Sequence, residues 1–596
     1  MQTYKAPVRD MRFVMHELYD SGELAEKLGY ADVNEELIDT VLEEAAKLTE
    51  GVLFPINASG DVEGCTYENG VVRTPKGFKE AYDTFRDGGW TSLAADQKYG
   101  GQGLPESLAK PVEEMICSAN MSFGLYPGLT HGAYVALEAY ASQELKDRYL
   151  PKMVDGTWSG TMCLTEAHCG TDLGLLRTRA EPQADGSYKL EGSKIFISAG
   201  EHDLTENIIH LVLARMPNAP KGVKGISLFL VPKRLPTEDG RAGARNGVTC
   251  AGLEHKMGMK ASATCQINFN DAQGWLVGEP HKGMQAMFTM MNSERLSVGI
   301  QGLGVAEAAY QSAVAYAKDR LQGRALSGPK HPDKPADPII VHPDVRKMLM
   351  TMRAEIEGCR ALAGWVARAL DRVEKSDDPA VRREADDLCQ LMTPIVKALF
   401  TDMAFQNASR GMQVYGGHGY IRDHGVEQYV RDSRIAMIYE GTNGIQALDL
   451  VGRKMPAHAG RYLRAFFHPV SAFIEENQTD PAMGDMVKSL GKAFGALQLA
   501  TGHIAQAGMK DPEEAGAAAS DYLRLFGLVA LAYMWARMAK VSLAALPKAN
   551  GEAGFYQAKL VTARFYFERI LPEVGSLLMA IKSGKGAVMA LDEAAF

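Results

Sequence analysis

Apolar residues recur at helical spacing from Asn34 to about Pro151. Leu37, Val41, Ala45 and Leu48 mark one stripe, and Leu129 to Tyr149 is a second amphipathic stretch. Between them, Tyr99-Gly-Gly-Gln-Gly-Leu-Pro105 reads as an ordered loop. The pattern changes near Trp158. An Asp185-Gly186 turn precedes the run Tyr188 to Ser198, Ile208 to Leu213 and Ile226 to Val231 are short β-branched and leucine runs, and Cys265 to Phe269 alternates apolar and polar. These are strand and hairpin signals, so residues 160–278 are expected to form a small β-domain. Helical periodicity returns at Gly283, with Leu303, Ala306, Tyr310, Val314 and Ala317 on one face, and continues over Val345–Val373 and Ala380–Ala408. Leu326 to Pro338 carries four prolines and is expected to be a loop. From Pro456 onward a further helical segment is broken at Pro547 to Gly551. The expected order is an N-terminal extension (1–34), a helical domain (35–159), the β-domain (160–278), a second helical domain (279–455) and an extra helical module (456–596).

Composition then removes several classes. The 596 residues are 46% hydrophobic and 23% charged, with a net charge of −9 and no block of like charges, which argues against a nucleic-acid partner. The eight cysteines form no C-x-x-C pair, as expected of free thiols in a reducing compartment. The N-terminus shows no secretory or transit pattern, and the expected address is the cytoplasm. The apolar run Leu525 to Ala536 is short of the roughly 20 residues a membrane span needs, so a buried core helix is expected instead.

Common catalytic devices are missing. There is no phosphate-binding G-x-x-x-x-G-K-[ST] loop, no H-E-x-x-H and no G-x-S-x-G, and Gly302-Leu-Gly304 has Glu307 where a dinucleotide fingerprint needs its third glycine. His168 beside Cys169 lacks zinc-ligand spacing, so no metal is expected. Three dense loops remain: Cys163-Leu-Thr-Glu-Ala-His-Cys-Gly-Thr-Asp172, Gln413-Val-Tyr-Gly-Gly-His-Gly-Tyr420 and Ile438-Tyr-Glu-Gly-Thr-Asn-Gly-Ile445. Each mixes glycines, which let backbone N–H groups approach a ligand, with hydroxyl or carboxylate groups.

In this order, and with Lys194-Ile-Phe-Ile-Ser-Ala-Gly200 between the first two, the loops resemble the signatures of the acyl-CoA dehydrogenase family over roughly residues 35–455. Ala167, Cys169, Leu175 and Gln428 depart from the family's usual residues. The resemblance implies a helical domain, a β-barrel-like domain and a four-helix domain, here followed by the extra module. It also implies FAD as cofactor, an acyl-CoA substrate oxidised to the 2-enoyl-CoA, and an electron-transfer flavoprotein as acceptor. Glu440 is the implied base. Met162, Leu164, Thr165, Thr171, Phe196, Ile197 and Ser198 are implied around the flavin ring, and Arg320 at the pyrophosphate. Gln413, Gly416 and Gly417 are implied at a neighbouring subunit's adenylate, with Thr442 and Gly444 closing the site. Thr171, Asn292, Arg295, Tyr439 and Gly441 are the implied substrate contacts.

The long module and the stretch Tyr4 to Phe13 resemble a subgroup containing 3-methylthiopropionyl-CoA dehydrogenases and bacterial fatty acyl-CoA dehydrogenases. The thioether substrate is the favoured expectation, with medium- or long-chain fatty acyl-CoA the alternative. An acyl-CoA oxidase and a DNA-binding relative are the other readings. The module's 14 Lys+Arg against 13 Asp+Glu, net +1, argue against the DNA-binding one. The module is expected to cover helical surface and favour a homodimer.

Overall fold

The computed structural model describes residues 1–596, which form two compact units. One comprises Ala45–Pro105 and Met115–Ser297; the other comprises Met1–Glu44, Glu106–Glu114 and Val298–Phe596.

The first unit contains a closed β-structure. The long strand Thr264–Val277 pairs antiparallel with Tyr188–Ser198 and with Ile226–Pro232. Tyr188–Ser198 continues to Arg179–Pro182 across the Asp185-Gly186 hairpin, and Arg179–Pro182 meets Asn207–Arg215 in parallel. Asn207–Arg215 pairs antiparallel with Ile226–Pro232, so the ring closes and leaves no free edge within it. Trp158–Cys163 and Val248–Leu253 are added to Asn207–Arg215 and Thr264–Val277. The alternating Cys265, Ile267 and Phe269 point into the barrel core with Leu190, Val212 and Phe229. The run from Ile208 to Leu213, apolar but for His210, is buried on both faces. A small antiparallel hairpin, Thr66–Glu68 with Val71–Arg73, turns at Asn69-Gly70, both at positive φ. The expected stretch Leu129 to Tyr149 is two helices, because Ser142 ends one and caps the next by accepting from Leu145 N at 3.3 Å.

The second unit is helical. Its long helices include Pro343–Lys375, Pro379–Tyr415 and, in the C-terminal module, Gly484–Lys510 and Pro512–Ala545. Pro512–Ala545 packs on Pro343–Lys375 and Pro379–Tyr415 as well as on its own module, which is why every residue from Leu525 to Ala536 is buried. Two helical stretches, Pro379–Tyr420 and Pro512–Lys548, are long and apolar enough to cross a membrane by length and composition, and both are mostly buried inside the protein.

Gly302 is a packing glycine: a Cβ there would stand 3.1 Å from Phe400 O and 3.2 Å from Thr401 Cα. The helix Gly283–Asp319 is buried on all sides from Glu294 to Ala309, wider than the one-face stripe its spacing suggests. The buried face of Glu35–Leu48 is carried by Ile38, Leu42, Ala45 and Leu48, so the expected stripe holds at Ala45 and Leu48 and is displaced by one position at Leu37 and Val41, which are half-buried. The proline-rich loop is organised around the buried carboxylate of Asp337, which accepts from Ala325 N (2.9 Å), Lys330 N (3.0 Å) and His331 N (2.7 Å).

Asp371, buried on the helix Pro343–Lys375, has only long bonds from Ser107 N (3.3 and 3.4 Å), and burial pushes its carboxyl from an ordinary 3.8 up to about 7. The unfolded chain loses this proton near pH 4 while the folded chain keeps it to about pH 7. This group therefore makes stability fall as pH rises through that window. Asp371→Asn should remove that slope. Thermal midpoints of the two proteins that keep a constant difference from pH 4 to 7 would contradict the assignment.

Candidate active site

The β-unit presents an aromatic ring to solvent by a local backbone device. Cys265 pairs with Ile197 but Ile267 pairs with Lys194, so Ile195 and Phe196 bulge out of the ladder. Phe196 sits there at φ +59° with its side chain 60% exposed, while the neighbouring Ile197 is buried in the barrel core. The side chain of Ile197 is turned into the barrel core, which leaves its backbone as the part that can meet a ligand. Ser198 is half-buried, and its carbonyl accepts from Thr161 Oγ1 at 2.7 Å.

The loop from Cys163 to Asp172 is fastened to this bulge. Lys194, fully buried, donates from Nζ to Leu164 O (2.9 Å) and to Glu166 Oε1 (2.8 Å), and Ile195 N donates to Thr165 O (2.9 Å). Glu166 also accepts from Thr178 Oγ1 and from the backbone N–H groups of Arg177 and Thr178. Burial alone would raise its carboxyl, but the Lys194 ammonium and these donors hold it well below the usual carboxylate range. The donor atoms of Glu166, His168 and Cys169 lie within 4.8 Å of one another. That carboxylate is already occupied, and His168 Nε2 bonds Leu175 O at 2.9 Å, so these groups serve to close the loop. Met162, Leu164 and Thr165 are left half-buried next to Phe196, and Thr171 is exposed.

In the same unit, Arg295 is buried and donates to Asn292 Oδ1 at 3.3 Å, with its guanidinium 5.9 Å from the Phe288 ring centre. Met287 and Met290 are fully buried core residues.

The helical unit carries two further groups of expected residues. Arg320 is exposed just past the helix Gly283–Asp319, and Gln413, Gly416 and Gly417 are exposed at the end of Pro379–Tyr415. The Tyr316 and Tyr415 rings stack at 4.0 Å, and Tyr316 Oη bonds His418 Nδ1 at 2.8 Å, which fixes these two helix ends together. A Cβ at Gly416 or Gly417 would meet nothing within 4 Å, so their backbone is open to a ligand. Gln428 is buried, accepting from Gln2 Nε2 at 3.0 Å and donating to Asp432 Oδ2 at 3.1 Å, which ties the N-terminal segment to this helix.

Glu440 is half-buried at φ +57° and precedes Gly441 at φ +82°. Thr442 caps the helix Asn443–Asp449 by accepting from Ile445 N at 3.3 Å, leaving Gly444 exposed in its first turn. Glu440 thus stands two residues before the Thr442 cap. Tyr439 Oη donates to the buried Gln301. Gln301, Lys397, Asn443 and Gln446 hold this segment and were not anticipated. The available signal was Lys397, the one charge between Asp387 and Asp402 in an otherwise apolar and neutral stretch.

In the β-unit the exposed Phe196 ring with its half-buried neighbours fits a flavin ring, and in the helical unit the open Gly416-Gly417 turn fits a nucleotide. An exposed aromatic on a strained bulge, half-buried apolar neighbours and an open glycine turn are otherwise unexplained features of the two units.

Comparison with known proteins agrees. Family profiles described as acyl-CoA dehydrogenase N-terminal, middle and C-terminal domains match residues 57–157, 161–272 and 281–455. A profile described as acetyl-CoA dehydrogenase C-terminal like matches 454–592. The chain is 43% identical over 572 residues, 96% of each chain, to a 3-methylmercaptopropionyl-CoA dehydrogenase of Ruegeria pomeroyi. It is 35% identical to a butyryl-CoA dehydrogenase of Syntrophomonas wolfei over 100% of this chain and 99% of the relative. The solved acyl-CoA dehydrogenase of Bacillus anthracis complexed with FAD shares the fold, with a TM-score of 0.73 at 19% identity over 97% of this chain and 92% of that one. The chain belongs to the acyl-CoA dehydrogenase family, FAD-dependent oxidoreductases acting on a CH–CH bond.

Proposed function

We propose that this enzyme oxidises 3-methylthiopropionyl-CoA to 3-methylthioacryloyl-CoA, a step of dimethylsulfoniopropionate catabolism. The observation that carries the substrate is the 43% identity along nearly the whole chain to the Ruegeria pomeroyi enzyme named for it. The second reading, a fatty acyl-CoA dehydrogenase, is favoured by the full-length match to a butyryl-CoA dehydrogenase. Anaerobic titration of the holoenzyme with 3-methylthiopropionyl-, butyryl-, octanoyl- and palmitoyl-CoA, following loss of the flavin absorbance band, separates the two. Fastest bleaching by the thioether substrate is expected, and preference for any fatty acyl-CoA would overturn it.

In the mechanism, Glu440 removes the α-proton of the thioester, and its own backbone N–H is a donor for the thioester oxygen as negative charge develops there. Bound FAD supplies the acceptor for the β-hydrogen, which leaves as hydride. Arg295, Asn292, Thr171, Tyr439 and Gly441 are assigned to the acyl-CoA. Phe196, Met162, Leu164, Thr165, Ser198 and the Ile197 backbone are assigned to the flavin ring, and Arg320 to the pyrophosphate. Gln413, Gly416 and Gly417 are assigned to a neighbouring subunit's adenylate. Phe196→Ala removes an exposed ring and should leave the fold intact, while FAD retention weakens by roughly three- to tenfold, the worth of one aromatic contact. Unchanged FAD content after gel filtration would move the stacking contact elsewhere.

An electron-transfer flavoprotein is the proposed acceptor; rapid peroxide formation on reoxidation in air would point to an oxidase instead. The eight free thiols support a cytoplasmic address. The C-terminal module covers faces of Pro343–Lys375 and Pro379–Tyr415 that would otherwise be open to self-association, which supports a homodimer. A tetramer mass by light scattering would contradict it.

A further inference from the structure

The segment that carries Glu440 adopts a conformation its sequence does not favour. Glu440 and Gly441 are consecutive left-handed residues, and for a glutamate that region is sparsely populated and costs of order 1 kcal/mol or more. Such a conformation persists only where surrounding groups over-determine it.

Two side chains that are both fully buried do so here. Lys397, on the helix Pro379–Tyr415, donates from Nζ to Gly441 O (2.8 Å) and to Asn443 Oδ1 (2.9 Å). Gln446 reaches back from the following helix and donates from Nε2 to Glu440 O (3.0 Å) and Gly441 O (3.2 Å). Asn443 is itself fixed, donating to Asp402 Oδ1 (2.6 Å) and Thr401 Oγ1 (3.0 Å), one turn along the helix from Lys397. The carbonyls of both left-handed residues are therefore held from the interior. This fixes ψ at 440 and 441, and with it the direction of the Glu440 side chain and of its N–H.

A lysine with no exposure is an expensive donor to a loop carbonyl and a neutral amide, since its charge must be desolvated. A neutral donor would serve a merely structural turn.

We propose that Lys397, with Gln446, is a positioning residue for Glu440: its buried ammonium locks the left-handed turn that aims the base and its N–H at the acyl-CoA. This rests on the reading of Glu440 as the base. No bond to Lys397 is made or broken, and its effect acts through the geometry of Glu440.

The test uses holoenzyme variants Lys397→Met and Gln446→Met, with Glu440→Gln alongside. Three quantities are read: the rate of flavin bleaching at saturating acyl-CoA, the Kd for acyl-CoA, and exchange of the α-protons of acetyl-CoA with D2O. Acetyl-CoA has α-protons but no β-carbon to give up a hydride, so exchange reports the base alone. A misaimed base should lower bleaching and exchange together by about 10²-fold, with Kd changed by less than about threefold and FAD retained. If Lys397→Met does not fold, Gln446→Met carries the same expectation. Normal exchange in a folded variant, with exchange abolished in Glu440→Gln, would overturn the positioning role alone. Exchange retained in Glu440→Gln would overturn the base assignment, and this proposal with it.

Discussion

Glu440→Gln is expected to bind FAD and acyl-CoA as the parent enzyme does and to lose flavin reduction by at least about 10³-fold, within the range a positioned general base supplies. The α-proton of a thioester is weakly acidic, so its removal needs a carboxylate held close by and a donor for the enolate oxygen at the same moment. Glu440 offers both from one residue. Its side chain is half-buried, and its carbonyl is held from the interior by Gln446. Glutamine keeps the size and the backbone, so the left-handed turn should survive. Stopped-flow bleaching together with an acyl-CoA binding titration checks it. Residual reduction within tenfold of the parent would remove Glu440 from the role of base.

What could be read in the sequence divides by the range of the interaction. Strand alternation at Cys265 to Phe269 and the Asp185-Gly186 turn are local patterns, and the barrel follows them. The Asn69-Gly70 hairpin was equally local and was missed only because it interrupts a helical stretch; the dipeptide is a two-residue turn signal in its own right. The glycines of Gly302-Leu-Gly304 fail as a nucleotide fingerprint, and at Gly302 a helix-packing reason for glycine replaces it. That reason lies on another helix, out of reach of any spacing rule.

The candidate site shows the same division. Glu440, Phe196 and Gln413 stand in recognisable loops, but what shapes those loops is distant in sequence. The bulge that turns Phe196 outward is a register shift against Thr264–Val277, and the lysine behind Glu440 comes from a different helix. Hydrophobic periodicity records which face is buried. It is silent on a lone polar residue whose partners, a backbone carbonyl and an amide side chain, lie 44 and 46 positions away.

The largest stability effect is expected at Arg360, on a helix far along the chain from most of its partners. Its guanidinium, almost unexposed, donates to Glu114 from Nε at 3.0 Å, to Glu307 Oε2 at 2.6 Å and to Asp10. Lys559, from the C-terminal module and also buried, donates to Asp10 and to Glu357 Oε2 at 2.8 Å. One cluster thus ties the N-terminal extension, the helices after residue 298 and the module into the helical unit. Burial alone would raise the Asp10 carboxyl, but Lys559 and Arg360 bring it down to about 2. Arg360→Met leaves Glu114 and Glu307 buried with their main counter-charge gone and Asp10 held by Lys559 alone, and removing one side of a buried ionic group costs about 3–5 kcal/mol. The variant should show a clearly lower thermal midpoint and early proteolysis of its first residues. Its carboxylates would then titrate higher in the folded than in the unfolded chain, so the deficit should be largest at high pH and shrink as pH falls toward 5. Adding Glu114→Gln and Glu307→Gln to the arginine variant, with Asp10 kept as the partner of Lys559, should recover much of the loss, because neutral amides do not need the guanidinium. A single variant as stable as the parent at pH 8 would mean that burial of the helices, and not this charge cluster, holds the N-terminal extension to the module.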